Sequence, residues 1–159
     1  MTHPTAAAID TLRETHVGRL LLRAHRAFAA EAMERLRALG HATLGVRHAS
    51  VLPFIDRRGT RSTDIARRAG MTKQSMSALV GDLVAEGYVR LEPDPDDARA
   101  ARVVFTAKGL RYLEDAHRVK QDIEDAYAAL LGKKGFAALR EGLQRIVARA
   151  GTPQDAPGD

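Results

Sequence analysis

Residues 62–105 read STDIARRAGMTKQSMSALVGDLVAEGYVRLEPDPDDARAARVVF, and this stretch decides the fold. Ile65, Ala66, Met71, Met76 and Leu79 fall where two crossing helices touch. Ala66 is small at the crossing, and Gly70 permits the sharp turn between them. Ser62 is placed to cap the first of these helices, with Asp64 in its first turn; Thr72 is placed to cap the second, which runs to Gly87. Met76, Leu79, Val80 and Leu83 give the second helix one apolar side, while Thr72, Lys73, Gln74, Ser75 and Ser77 leave its opposite start polar. Past Gly87 the hydrophobic period shifts from 3.6 towards 2. Residues 88–92 and 102–105 read as two strands around the turn-rich segment 93–97. Two strands are marginal alone, so this ribbon lies against the helices.

A helix with hydrogen-bonding side chains at an exposed N-terminus can enter the major groove. There Gln pairs with adenine, and Ser or Thr serves bases or phosphates. An ordinary helical hairpin with a solvated polar face accounts for the same spacings. The ribbon that follows gives a winged-helix layout, with Arg99 at the wing tip for the minor groove and Arg102 for a phosphate. For Arg99 the competing account is a salt bridge to Asp96 or Asp97. The net charge is only +5, but it is unevenly placed. Arg57, Arg58, Arg61, Arg67, Arg68 and Lys73 face a single acid, Asp64, whereas residues 82–97 carry six acids against Arg90. That local excess favours DNA over the other reading of a winged helix, a protein-interaction or dimerisation module without base readout.

Outward from this lobe the chain is helical. Residues 9–39 carry apolar positions near a 3.5-residue spacing, with Gly40 as the cap. Such a helix is roughly 45 Å long, too long for one compact core of this chain. A short helix over 46–56 contains Pro53, which should kink or shorten it, and 58–60 reads as a turn. Residues 107–150 return to helix with a break at Gly132. The final GTPQDAPGD has the composition of a loose tail.

The pieces MTKQ, LVAEGYV and DPDDARA…VVFTAKG, within residues 61–109, resemble the winged-helix core of the MarR-type (multiple antibiotic resistance regulator) transcription factors. The match covers residues 43–115 by motif, and the flanking helices agree in layout. The resemblance implies a mainly α fold with a small β-wing, a winged helix-turn-helix flanked by long terminal dimerisation helices. On that reading residues 1–42 are the N-terminal dimerisation helix, 43–106 the DNA-binding lobe, 107–150 the C-terminal dimerisation helices and 151–159 a flexible tail. It also implies a homodimer, commonly a repressor, reading pseudo-palindromic double-stranded DNA. DNA release is then triggered by a small, often phenolic or otherwise anionic, effector. The expected DNA contacts are Thr72, Gln74, Ser75 and Ser77 on the base side, Arg57, Arg61, Ser62, Lys73 and Arg102 on phosphates, and Arg99 at the minor groove. Ala98 and Ala78 stand where the family often has basic residues, and Gly81 weakens the reading helix by roughly 1 kcal/mol relative to Ala.

Control and catalysis are less legible. His25 with Arg26, and Arg47 with His48, sit on helices that border the family's ligand cavity, where they could bind an anion; surface or interface hydrogen bonding is the plainer account. The chain has no cysteine, which excludes thiol sensing and thiolate metal sites. No Gly-rich phosphate loop, GxSxG or HExxH occurs, so an enzyme, a cofactor and a metal are not expected. Asp94, Asp96 and Asp97 lack the Gly and distal Glu of a calcium loop. Neither a secretory signal nor a membrane-spanning run is present, and a cytoplasmic protein is expected.

Overall fold

The computed structural model describes residues 16–150; the expected helix start at 9–15 and the tail at 151–159 lie outside the described residues. In chain order the elements are α1 (Val17–Ala38), α2 (Val46–Val51) with a 3-10 turn at Leu52–Phe54, and β1 (Thr60–Arg61). These are followed by α3 (Ser62–Arg68), α4 (Lys73–Ala85), β2 (Val89–Asp94), β3 (Asp97–Phe105) and α5 (Ala107–Ala150). The fold is mainly α with one antiparallel sheet of order β1-β3-β2, a winged helix-turn-helix carried between long helices. Gly132, at φ 73° and ψ 153°, breaks α5 where the sequence placed the interruption.

Several local expectations need correction. Pro53 cuts the helix expected over 46–56 to a six-residue α2, because its ring and missing N–H are tolerated only at the start of the 3-10 turn. Ser62 is the first helical residue of α3 and not its cap; Arg61 holds the cap position without a side-chain cap bond. The turn at 58–60 delivers a third strand, β1, whose Thr60 and Arg61 pair with Val103 and Arg102. Gly59 makes that approach possible: at φ +86° its missing Cβ would lie 2.9 Å from Val104 Cγ2 and 3.3 Å from the Val103 carbonyl oxygen. The ribbon strands are also longer than their apolar pattern, leaving only Pro95 and Asp96 in the hairpin turn, with a bulge between Pro93 and Asp94.

α1 and α4 end in the same two-bond motif. Gly40 and His41 donate to the Arg37 and Leu36 carbonyls, both at 3.0 Å. Gly87 and Tyr88 donate to Val84 and Leu83, both at 2.9 Å. These endings aim His41 and Tyr88 inward. One contiguous core joins Leu36 of α1, Val51 of α2, Ile65 of α3, Met76 and Leu83 of α4, Val103 of β3 and Ile123 of α5. Burying each such side chain contributes about 1.5–3 kcal/mol. α1 joins this core through Ala32 and Leu36 in its second half, with Phe28 packed against it. Val17, Leu20, Leu21 and Leu22 of its first half remain exposed.

Candidate nucleic-acid interface

α4 is built to present one face. Met76, Leu79, Val80 and Leu83 are buried, which turns Gln74, Ser77, Ala78 and Gly81 outward at helical spacing. Thr72 sets the start: its Oγ1 accepts the Ser75 N–H at 3.1 Å and donates to Ser75 Oγ at 2.9 Å. Ser75 is therefore half-buried and engaged in the cap, while Lys73, Gln74 and Ser77 are exposed. The result is a capped helix start with unshared amide and hydroxyl groups on its outer side, able to address base edges and, through the helix dipole, an anion.

The wing is organised by one carboxylate. Strand register sets Arg61 of β1 directly across from Arg102 of β3, an unfavourable pairing of like charges. Asp94 lies between them, its side chain fully buried. Its Oδ2 accepts from Arg61 Nε at 2.5 Å and its Oδ1 from Arg102 Nη2 at 3.0 Å. The same Oδ1 accepts the Asp96 N–H at 2.9 Å, which forms the hairpin turn. The Arg61 hydrogen bond first, then the Asp96 N–H and Arg102, hold the Asp94 carboxyl well below the usual carboxylate range. Asp96 Oδ2 also accepts from Arg102 Nη2, at 2.6 Å, from the solvent side. Asp94 thus faces inward onto two cations, apart from the outward Asp96.

The basic patch divides accordingly. Arg61 and Arg102, expected as phosphate contacts, are both ion-paired; Arg67 pairs with Asp64 at 3.1 Å and Arg68 with Asp56 at 2.8 Å. Arg68 and the Thr60 hydroxyl hold the Asp56 carboxyl below its ordinary value. Among the described residues, the side chains of Arg57, Arg58, Lys73 and Arg99 pair with no acid, and all four are exposed. The salt bridge weighed for Arg99 does not form: the Asp97 carboxylate accepts its backbone N–H at 3.0 Å, not its guanidinium. Ser62 is half-buried at the first turn of α3.

A buried polar cluster behind α4 had no signal in the sequence. His41 lies 3.1 Å through Nδ1 from the Tyr88 hydroxyl and 3.0 Å through Nε2 from Asp115 Oδ2. Its ring also meets Tyr112 edge-on at 5.1 Å. Burial pushes both phenols up, Tyr112 to about 12. The Asp115 carboxylate can only accept, so His41 donates to it through Nε2–H, and the Tyr88 hydroxyl is the partner of Nδ1. Lys108 sits 4.3 Å from the Tyr88 ring centroid and donates to the Glu86 carbonyl at 2.7 Å. The exit of α4 is thereby tied to the end of α1 and the start of α5. The contacts span 47 and 74 positions, beyond any local pattern.

The four residues expected around an effector are not brought together. His25 lines an apolar cavity of about 470 Å³ between α1 and the two arms of α5, together with Phe28, Tyr127, Phe136 and Arg140. Arg26 is exposed on α1 outside that lining. His48 accepts the Gly45 N–H at 3.1 Å through Nδ1 and lies 3.3 Å from Asp82 through Nε2, joining α2 to α4, and Arg47 is exposed beside it. Among the described residues, no group of three His, Asp or Glu side chains is placed to hold a metal, and no helix is long and apolar enough to cross a membrane.

Residues 42–100 match the sequence profile of the MarR family. Uncharacterized proteins of Mycobacterium tuberculosis and Mycobacterium bovis are 26% identical over 97 residues, 61% of this chain and 68% of theirs. A transcriptional regulator of Thermotoga maritima shares 25% identity at a TM-score of 0.59, over 81% of this chain and 89% of that one. A MarR-family transcriptional regulator of Rhodococcus sp. RHA1 shares 25% at 0.62, over 82% and 92%. CouR of Rhodococcus jostii RHA1, solved with p-coumaroyl-CoA bound, shares the fold at a TM-score of 0.65 and 23% identity, over 92% and 97%.

Proposed function

We propose, from the membership of its winged-helix lobe, residues 42–100, in the MarR family of transcription regulators, that this chain represses transcription in the cytoplasm as a homodimer. Its target is a pseudo-palindromic double-stranded DNA site, which it releases when a small anionic or phenolic effector binds. The observation that carries the DNA reading is the outward face of α4: a Thr72-capped start with Lys73, Gln74 and Ser77 exposed over a fully apolar inner face. Gln74 and Ser77 read base edges, with Thr72 and Ser75 shaping the helix start around them. Lys73, Arg57, Arg61, Ser62 and Arg102 serve phosphates, and Arg99 serves the minor groove. Residues 1–42 and 107–150 supply the dimer contacts and 43–106 the lobe, so two α4 helices address half-sites one DNA turn apart.

Effector control is supported more narrowly. The α1–α5 cavity sets the aromatic walls Phe28, Tyr127 and Phe136 beside His25, Arg140 and the acid Glu124, room for an aromatic ligand whose anionic group is met by Arg140. CouR, which shares the fold, was solved with p-coumaroyl-CoA bound, a phenolic thioester that carries its negative charge on the CoA phosphates. Selection of bound fragments from a random duplex pool tests the function as a whole. A palindromic consensus with half-sites about ten base pairs apart is expected. No enrichment would instead favour a winged helix used for protein contact.

A further inference from the structure

Asp94 is the least exposed acid of the wing, and the DNA reading gives it no role. Three donors converge on its carboxylate from three directions: Arg61 Nε from β1, Arg102 Nη2 from β3 and the Asp96 N–H from the hairpin turn. The bulge at Pro93–Asp94 takes the residue out of strand register at this point, opposite Asp97. Without a carboxylate there, the two guanidinium groups would oppose one another across the β1–β3 ladder, met only from outside by Asp96 on Arg102 and by Asp97, 3.9 Å from Arg61 Nη2. A guanidinium has five N–H donors in a fixed fork, so one bound edge leaves the others free and aimed. Arg61 and Arg102 are 39% and 25% exposed, which keeps part of each fork at the surface.

We propose that Asp94 is a positioning residue for DNA binding: its buried carboxylate locks Arg61, Arg102 and the wing turn into one rigid unit whose remaining guanidinium edges face the phosphate backbone. This inference rests on the DNA-binding reading and adds a role that charge counting would reverse. A negative charge close to DNA ordinarily weakens binding, so a mere counter-charge and a positioning residue predict opposite signs on its removal. Asp96 supplies the contrast. Its carboxylate touches the same Arg102 group from outside and is 77% exposed, so it competes with phosphate without holding the unit together.

The test measures affinity for the selected duplex across a salt series, with wild type, D94N, D96N and R61K checked for folding by thermal melting. D94N is expected to bind about tenfold more weakly, the size of one lost charge-assisted contact. Its plot of log affinity against log salt is expected to be shallower by about one phosphate equivalent, although the protein has lost a negative charge. D96N is expected to bind as tightly as wild type or more so. Tighter or equal binding by D94N, with an equal or steeper slope, would overturn the proposal. Should D94N fail to fold, R61K decides: lysine keeps the charge but loses the fork, so weaker binding supports positioning and unchanged affinity and slope refute it. If wild type binds no duplex, the DNA reading itself has failed, whereas wild-type binding with an unweakened D94N removes this inference alone.

Discussion

At Arg99 and Arg102, three positions apart on one strand, the same side-chain type meets different fates. Arg102 is held by Asp94 and Asp96, while the guanidinium of Arg99 pairs with no acid among the described residues. An unpaired guanidinium on a hairpin has little to lose on meeting a phosphate or a narrow minor groove. Arg99→Ala is therefore expected to weaken DNA binding and to flatten its salt dependence by roughly one counterion unit, measured by fluorescence anisotropy over a salt series. An unchanged slope would remove Arg99 from the interface. The local charge count found the basic patch, but of the acids that divide it only Asp56 and Asp64 are local, while the partner of Arg61, Asp94, arrives from the wing 33 positions later in the chain. His41 lay equally far from view, one of six histidines with no motif around it. Its replacement by Ala strips Tyr88 and Asp115 of a shared buried partner and opens a void beside two aromatic rings. We expect a loss of about 1–3 kcal/mol in urea unfolding from the unsatisfied polar groups alone. A change inside experimental error would mean that water replaces the ring at no cost.

At the scale of elements, legibility followed the reach of the determining interactions. The start and end of α4 were readable because Thr72 and Gly87 act within four residues of the helix they bound. The truncation of α2 was readable because Pro53 acts on its own turn. β1 was not: two residues cannot show an alternating pattern, and what makes them a strand is the edge of β3 laid against Gly59. The true length of the wing was hidden for a related reason. Its outer half pairs through acidic and small residues whose order depends on the inward turn of Asp94 and not on apolar alternation. Gly81 offers an element-scale test. It sits inside α4 on the outer face, and a Cβ there would meet nothing within 4 Å. Gly81→Ala is expected to stabilise the protein by about 1 kcal/mol through helix propensity, raising the urea midpoint at constant slope. A destabilised variant would mean that this position is not free.

For the molecule as a whole, the unbalanced quantity is apolar surface. α1 buries its C-terminal end in the core but leaves Val17 and Leu20 at 65% and 50% exposure. Beyond the Gly132 break, α5 leaves Ile146 and Val147 at 54% and 61%, on an arm with no buried residue among those described. A monomer of this size rarely leaves so many large apolar side chains uncovered on two long helices, and helices that exceed their own core have a common remedy in a second copy. The length of the first helix already pointed there from the sequence; for the last helices only the family resemblance did, because an apolar stripe looks the same whether its partner is in the chain or outside it. The paired substitution Ile146→Glu with Val147→Glu tests this. Neither side chain belongs to the core, so the variant is expected to keep its helical circular dichroism and thermal transition. In analytical ultracentrifugation at micromolar concentration, wild type is expected at twice the 17.3 kDa chain mass and the variant at the chain mass. On the palindromic duplex the variant is expected to lose most of its affinity and about half of its salt slope, since one lobe then neutralises half the phosphates. On a single half-site the two proteins are expected to differ little. A wild-type monomer would sink the dimer reading, and a variant that stays dimeric would move the interface off this arm of α5.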